Sequence, residues 1–151
     1  MEDKIINYNF FHWGPFLYKT VLTKEEINLI KKLCSKNSKD YRGNLAGLLR
    51  HEHEIDNKKI FSILSPYFNS YAKAFMEYSG KPLANKIELE KCWVNFMTKF
   101  ELADSKILIN QHTFFPEVGD FFIFPASLHH YVNSFKCEGE RISISGNLVI
   151  N

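Results

Sequence analysis

Apolar and polar residues alternate strictly near the end of the chain, from Arg141 to Ser145. A period of two is typical of a β-strand, because successive side chains point to opposite faces. Two isoleucines therefore lie on one face of the predicted strand, and Arg141, Ser143 and Ser145 lie on the other. Since arginine binds a carboxylate through two N–H groups and a serine adds a donor, the polar face predicts an anion site.

A longer period-two pattern predicts a strand from Ile87 to Phe100. Its apolar face includes Cys92, and Trp93 and Asn95 share the other face. These two residues could line a pocket in which the Asn95 amide contacts a bound carboxylate. They could equally belong to a half-exposed sheet face with an amphipathic tryptophan. The pattern leaves both interpretations open.

Shorter apolar runs predict further strands and turns on either side of this long strand. Before it, residues 5–22 predict an opening strand, a turn at Gly14 and Pro15, and a second strand or extended segment. After it, the predicted elements are a turn at Ala103–Lys106, a strand at Ile107–Ile109, a tight turn at Pro116–Asp120, a strand at Phe121–Phe124 and a strand that carries His129 and His130.

Two segments have the apolar spacing of amphipathic helices. The first runs from Thr23 to Ser38 and opens with a Thr–x–x–Glu capping box that ends at Glu26. The second runs from Asp56 to Ser79 and stops at Gly80. Pro66 interrupts the second pattern, which predicts either a kink or two abutting helices.

Residues 39–56 are predicted to form a loop, and they contain the motif His51-Glu52-His53. Two histidines in this spacing suggest metal binding, because imidazole is the commonest transition-metal ligand. No third ligand stands nearby in the sequence, so a solvated polar loop is the preferred interpretation.

Composition limits the classes of protein to which the chain could belong. A hydrophobic fraction of 45% and fourteen phenylalanines favour one packed domain over residues 1–151. A net charge of +2 without a basic cluster argues against nucleic-acid binding, and no apolar run is long enough to cross a membrane. Three scattered cysteines, Cys34, Cys92 and Cys137, indicate reduced thiols and a cytoplasmic location.

Several motifs together are similar to one enzyme family. They are Phe124-Pro125 followed by His130, Arg141-Ile142-Ser143-Ile144-Ser145-Gly146-Asn147, Trp93-Val94-Asn95, Leu45-Ala46-Gly47 and Trp13-Gly14-Pro15. In this combination the chain resembles the Fe(II)/2-oxoglutarate-dependent oxygenases that are common among phage and marine bacterial proteins. Phage origin would imply the host cytoplasm. The resemblance extends over most of the chain.

The resemblance implies a fold and a set of site residues. The fold is mainly β with flanking helices, of the double-stranded β-helix type (jelly-roll or cupin-like), here truncated below the full eight strands. His130 is implied as a metal ligand, Arg141 as the residue that binds 2-oxoglutarate, and Ser143 and Asn95 as its helpers. The implied cofactors are Fe(II) and 2-oxoglutarate, and the implied reaction class is hydroxylation. No residue is assigned a catalytic role, and the sequence does not indicate the substrate.

One part of the family pattern is missing. The family carries an H-x-H or H-x-D pair soon after the W-x-N strand, and the segment between Asn95 and Gly119 contains neither. Three explanations are open: a degenerate member that lost iron, a sequence that lacks an internal segment, or a site that recruits other residues. The candidates for recruitment are Glu101, Asp104, His112 and the pair His51 and His53.

The missing pair gives weight to an alternative function. The chain could be a non-catalytic jelly-roll protein that binds a small carboxylate or a protein partner through Arg141, Ser143 and the face of Trp93 and Asn95. A sheet with missing strands has exposed edges, and edges of this kind favour either a homodimer or covering by a helix.

Overall fold

The computed structural model describes residues 6–11, 16–37, 39, 51–80, 86–98, 113–128, 130 and 138–150. In this part of the chain the elements are β1 (Asn9–Phe11), β2 (Leu17–Val21), α1 (Lys24–Leu33), β3 (His51–Glu54), α2 (Asn57–Ser79), β4 (Ile87–Thr98), β5 (Asp120–Ile123) and β6 (Glu140–Ile150). The prediction of a mainly β protein with flanking helices is confirmed. The predicted elements at Gly14–Pro15 and over residues 103–109 lie outside the described residues.

The strands form two antiparallel sheets. The first has the order β1-β2-β5, and the second has the order β3-β4-β6. In the second sheet β4 pairs with β6 along nearly its whole length, from Thr98 opposite Glu140 to Ile87 opposite Ile150. A β-bulge interrupts this register between Leu89 and Lys91. The closing strand is therefore much longer than the alternation at Arg141–Ser145 indicated.

The first helix begins as predicted. The Thr23 hydroxyl accepts a hydrogen bond from the Glu26 N–H at 3.3 Å, and a Glu26 carboxylate oxygen accepts one from the Thr23 N–H at 2.9 Å. The buried Tyr67 hydroxyl of α2 donates to the same oxygen at 2.5 Å, which joins the two helices. The helix ends at Leu33 rather than Ser38, because the Cys34 N–H closes a tight last turn on the Lys31 carbonyl at 3.2 Å.

The second helix is continuous through Pro66, so the prediction of two abutting helices is wrong. Proline lacks the N–H that would donate to the Ser62 carbonyl, and the Ser65 hydroxyl donates to that carbonyl instead at 3.5 Å. The Asp56 side chain caps the helix at its start, and Gly80 ends it in the left-handed conformation with a φ of 66°.

The core lies between α2 and both sheets. Tyr67 and Phe68 pack in one cluster with Cys92 of β4, and Tyr71 and Ala74 pack in a second cluster with Tyr18 of β2. Ile123 of β5 and Leu148 of β6 contact both clusters. Burial raises the pKa of the Cys92 thiol to about 12. One helix therefore covers one face of each sheet, and no helix in the described ranges is long and apolar enough to cross a membrane.

The segment His51–Glu54 was predicted to lie in a loop, and this prediction is wrong. It forms β3, whose residues pair in antiparallel register with β4 from Phe96 to Trp93. Glu52 and His53 are 3% and 9% exposed. Glutamate and histidine have low strand propensity, but an edge position beside a long strand supplies backbone partners and outweighs it.

The turn before β5 is confirmed. The Asp120 N–H donates to the Glu117 carbonyl at 3.1 Å, and the Asp120 carboxylate accepts from the Glu117 N–H at 3.0 Å. Gly119 has a φ of 99°, a conformation that side chains disfavour. The following strand starts at Asp120 and ends at Ile123, close to the predicted Phe121–Phe124.

Candidate functional site

In the second sheet, the central strand β4 lies between two strands that carry polar residues. Asn95 of β4 lies opposite Ser143 of β6 on one side and Glu52 of β3 on the other. Residues opposite each other in antiparallel strands share a face. The polar face comprises Glu52, Glu54, Trp93, Asn95, Met97, Arg141, Ser143 and Ser145.

This polar face points away from α2. Cys92 of β4 and Ile144 of β6 pack in the core beneath the helix. Side chains alternate along a strand, so Trp93 and Asn95, and likewise Ser143 and Ser145, lie on the opposite side of the sheet. The sequence signal for this arrangement was the alternation within each strand.

Arg141 is held at one end of the polar face. Its Nη2 atom donates to the Met97 sulfur at 3.2 Å, and Met97 is only 1% exposed. Burial lowers the pKa of the Arg141 guanidinium. The group still remains protonated at neutral pH, because the ordinary arginine pKa is above 12. Partial burial strengthens the interaction of a guanidinium with an anion that contacts it.

Asn95 lies in the middle of the polar face and is 8% exposed. Its Oδ1 atom is buried and has no hydrogen-bond partner among the described residues. Buried polar atoms nearly always have a partner, so an unpaired carbonyl oxygen indicates a place where a bound molecule can donate. Burial of Asn95 does not fit the half-exposed sheet face that the sequence left open, while Trp93 is half-buried.

The register brings three of the predicted site residues together. Arg141, Ser143 and Asn95 lie on one sheet face, with Asn95 directly opposite Ser143 and Arg141 next along β6. Glu52 is a further polar residue on this face, and the sequence interpretation missed it. The only signal for Glu52 was the alternation in His51–Glu54, which also fits a polar loop.

His130 follows β5 in the chain and is not part of the second sheet. It is exposed, and its Nδ1 atom is 3.1 Å from the Leu128 carbonyl oxygen. Its ring packs edge-on against Phe124, with 4.8 Å between ring centroids. His130 is outside any strand, so the predicted strand is wrong at this residue. The Leu128 N–H donates to the Pro125 carbonyl at 2.9 Å, and the turn that this hydrogen bond closes accounts for the absence of a strand at His130. His129 lies outside the described residues.

No described group of three His, Cys, Asp or Glu side chains could hold a metal ion. The rings of His51 and His53 are stacked 6.1 Å apart, on the opposite face of β3 from Glu52. The other predicted replacement ligands, Glu101, Asp104 and His112, lie outside the described residues.

A groove of about 440 Å³ lies beside the first sheet, away from the polar face. It is lined by residues 6–9, 19–21, 23 and 67. Two of its polar side chains are already engaged: Lys19 pairs with Asp120 at 3.1 Å, and the Thr20 hydroxyl donates to the Asn7 carbonyl at 2.7 Å. The polar face of the second sheet is therefore the better candidate site.

Comparison with known proteins gives one match. A family model described as "Putative 2OG-Fe(II) oxygenase" matches residues 70–147. No curated protein and no solved structure matches the chain. The matched segment includes Asn95, His130, Arg141 and Ser143, and Glu52 precedes it.

Proposed function

The chain belongs to the 2OG-Fe(II) oxygenase family, and from this premise we propose that its polar face binds 2-oxoglutarate through Arg141, Ser143 and Asn95. The observation that carries the proposal is the register of β4 and β6, which brings a guanidinium, a hydroxyl and a carboxamide to one sheet face. These groups are the donors that a carboxylate needs.

Each residue has a distinct role in this proposal. Arg141 binds the distal carboxylate of the keto acid through two parallel N–H groups. Its contact with Met97 limits the access of water to the guanidinium. Partial burial strengthens the interaction between the guanidinium and the bound carboxylate. The Ser143 hydroxyl and the Asn95 amide donate to the same ligand. These two residues lie opposite each other and form the cross-strand pair next to Arg141 and Met97 on this face.

The described residues do not fit an iron site. An oxygenase of this family needs Fe(II) held by two histidines and one carboxylate, with open positions for the keto acid and dioxygen. His130 stays a predicted metal ligand, but a single exposed imidazole does not hold Fe(II) against water. No chemical step that involves iron is therefore assigned to the described residues.

Hydroxylation is the reaction class that family membership suggests for this chain. A second candidate is carboxylate binding without turnover, and the missing three-residue metal cluster among the described residues favours it. We propose for either case a single domain of residues 1–151 with a jelly-roll fold. In this fold α2 covers the outer surface and the polar face points inward. A cytoplasmic location and a homodimer remain proposals.

Thermal unfolding in the presence of 2-oxoglutarate tests the binding proposal. Ligand that binds the folded state raises the melting temperature. We expect a rise for the wild-type protein and none for Arg141→Gln. Lys91→Gln removes a similar charge from an exposed position on β4 and serves as the matched control. An equal rise in all three proteins would contradict the proposal.

Anaerobic addition of Fe(II) with 2-oxoglutarate separates the two candidate functions. A visible charge-transfer band that is lost in His130→Ala would support the oxygenase, with the remaining ligands coming from residues outside the described ranges. Stabilisation by 2-oxoglutarate without such a band would support carboxylate binding alone.

A further inference from the structure

The turn before β5 and the end of β2 carry the most exposed large apolar side chains of the described residues. Phe115 and Val118 are 88% and 80% exposed, and Val21 is 60% exposed. Val21 pairs with Asp120 at the start of β5, and a Cβ atom added at Gly119 would lie 3.4 Å from the Val21 side chain. These three side chains form an apolar patch, and contiguous apolar patches on a protein surface mark interaction sites.

Hydrogen bonds hold the turn under this patch in a fixed shape. The Leu22 N–H donates to the Gly119 carbonyl at 2.9 Å, which fastens the turn to the end of β2. The Asp120 carboxylate accepts from the Glu117 N–H at 3.0 Å and also pairs with Lys19 at 3.1 Å. A preformed surface loses little conformational entropy when a partner docks on it.

The groove of about 440 Å³ beside the first sheet borders the apolar patch. Val21 belongs to its lining, together with Ile6 and Thr23. One molecule therefore presents an almost fully exposed aromatic side chain, Phe115, on one side of Val21 and an open groove on the other. In a two-fold dimer the same surface of both copies meets and every contact occurs twice, so a side chain and a neighbouring groove can fill each other.

The charges around the patch also fit a second copy of the chain. Glu117 lies on the turn, between Phe115 and Val118, and Lys24 lies on the groove side, directly after Thr23. Glu117 and Lys24 are both exposed, and neither side chain has an ion pair in the part of the chain that the structure describes. A two-fold axis that brings the turn of one copy to the groove of the other also brings Glu117 to Lys24. Opposite charges across an interface fix its orientation.

We propose that the chain forms a two-fold dimer in which Phe115 of each copy enters the groove beside Val21 of the other. In this dimer Glu117 of one copy contacts Lys24 of the second. An aromatic side chain covers about 150–250 Å² when it is buried, so Phe115 alone supplies roughly a fifth of the ~800 Å² that each partner buries in a stable interface. The surface contains no residue of the polar face, so the inference goes beyond the proposed function and does not depend on it.

Sedimentation velocity of the full chain over a range of protein concentrations tests the dimer. We expect the wild-type protein to sediment as a dimer that dissociates on dilution. Phe115→Ser should weaken self-association by at least about tenfold, because a buried aromatic side chain at the centre of an interface carries much of the binding energy. Far-ultraviolet circular dichroism checks that this variant is folded. A wild-type protein that is monomeric at every concentration would overturn the inference.

Leu29→Ser is the matched control for Phe115→Ser. Leu29 is also an exposed apolar residue, but it follows Ile27 by two positions on α1. The Ile27 side chain faces Gly119, and two positions along a helix turn a side chain to the opposite side. We expect Leu29→Ser to leave the dimer intact. Equal weakening by the two variants, or a Phe115→Ser dimer as stable as the wild type, would overturn the assignment to this patch.

Reversal of the two charges tests the orientation of the copies. Lys24→Glu and Glu117→Lys each bring like charges together twice in the proposed dimer, and we expect each to weaken self-association severalfold. The double variant restores opposite charges, so its self-association should return toward that of the wild type. A double variant that associates no better than the single variants would contradict the pairing of Lys24 with Glu117 across the two-fold axis.

Discussion

Arg141 combines a positive charge with partial burial and a fixed contact on the neighbouring strand. Its neighbour across the strand is the buried Met97, whose sulfur accepts one N–H of the guanidinium at 3.2 Å. The remaining N–H groups keep the planar arrangement that matches a carboxylate. A lysine at this position would keep the charge but lose that geometry.

We therefore expect Arg141→Lys to weaken 2-oxoglutarate binding by about tenfold, since one of two parallel charge-assisted hydrogen bonds is lost. Titration calorimetry measures the change, and far-ultraviolet circular dichroism confirms that the variant is folded. Affinity equal to that of the wild type would mean that charge alone is recognised, contrary to the proposed two-point contact.

At the residue scale, the sequence predicted part of the candidate site. The alternation around Arg141 and Ser143 needs only local information, because a strand period is visible in a single segment. The pairing of Ser143 with Asn95, and of Asn95 with Glu52, depends on strand register between distant segments. Glu52 was missed for this reason, and its burial arises from pairing that no local pattern contains.

At the level of the elements, the first helix depends on its cap. The Thr23 hydroxyl satisfies the Glu26 N–H, which otherwise has no partner within the helix. We expect Thr23→Ala to lower the free energy of unfolding by about 1 kcal/mol. Urea unfolding measures the loss, and Thr113→Ala, at an exposed position outside the helices and strands, is the matched control. Equal losses in the two variants would show that the cap contributes nothing specific.

The cap of the second helix makes stability depend on pH. Backbone hydrogen bonds, first from Lys59 and then from Lys58, and the Lys59 charge lower the pKa of Asp56 below its ordinary value. A carboxyl whose pKa is lowered in the folded state stabilises the protein at pH values above its pKa in the unfolded chain, which is about 3.9. This stability is lost as the pH falls through the pKa of the folded state.

Asp56→Asn should therefore be less stable than the wild type at pH 6, and the difference should close as the pH approaches 2. Urea midpoints of both proteins at these two pH values measure the effect. A difference that stays constant between pH 6 and pH 2 would mean that the charge of Asp56 has no role.

The elements also show where sequence patterns stop being sufficient. The capping box and the long period-two segment are strong local signals, and both elements begin where they were predicted. Pro66 is a strong signal for a break, yet α2 continues because the packing of Tyr67 and Phe68 on the core holds the helix across it. Tertiary contacts outweigh the local cost in this case.

At the scale of the whole molecule, α2 organises the described part of the chain. It packs on both sheets, through Tyr18 on one side and Cys92 on the other. A mainly β class with flanking helices follows from the order of the patterns. The order of the strands within each sheet does not follow from these patterns, because it is set by long-range packing under one helix.

The affinity of metal-stripped protein for 2-oxoglutarate, measured by titration calorimetry with and without added Fe(II) under anaerobic conditions, tests the account most directly. The account predicts that 2-oxoglutarate binds without metal and that Arg141→Gln weakens this binding by at least about tenfold. Binding that requires Fe(II), or that is unchanged in Arg141→Gln, would contradict it.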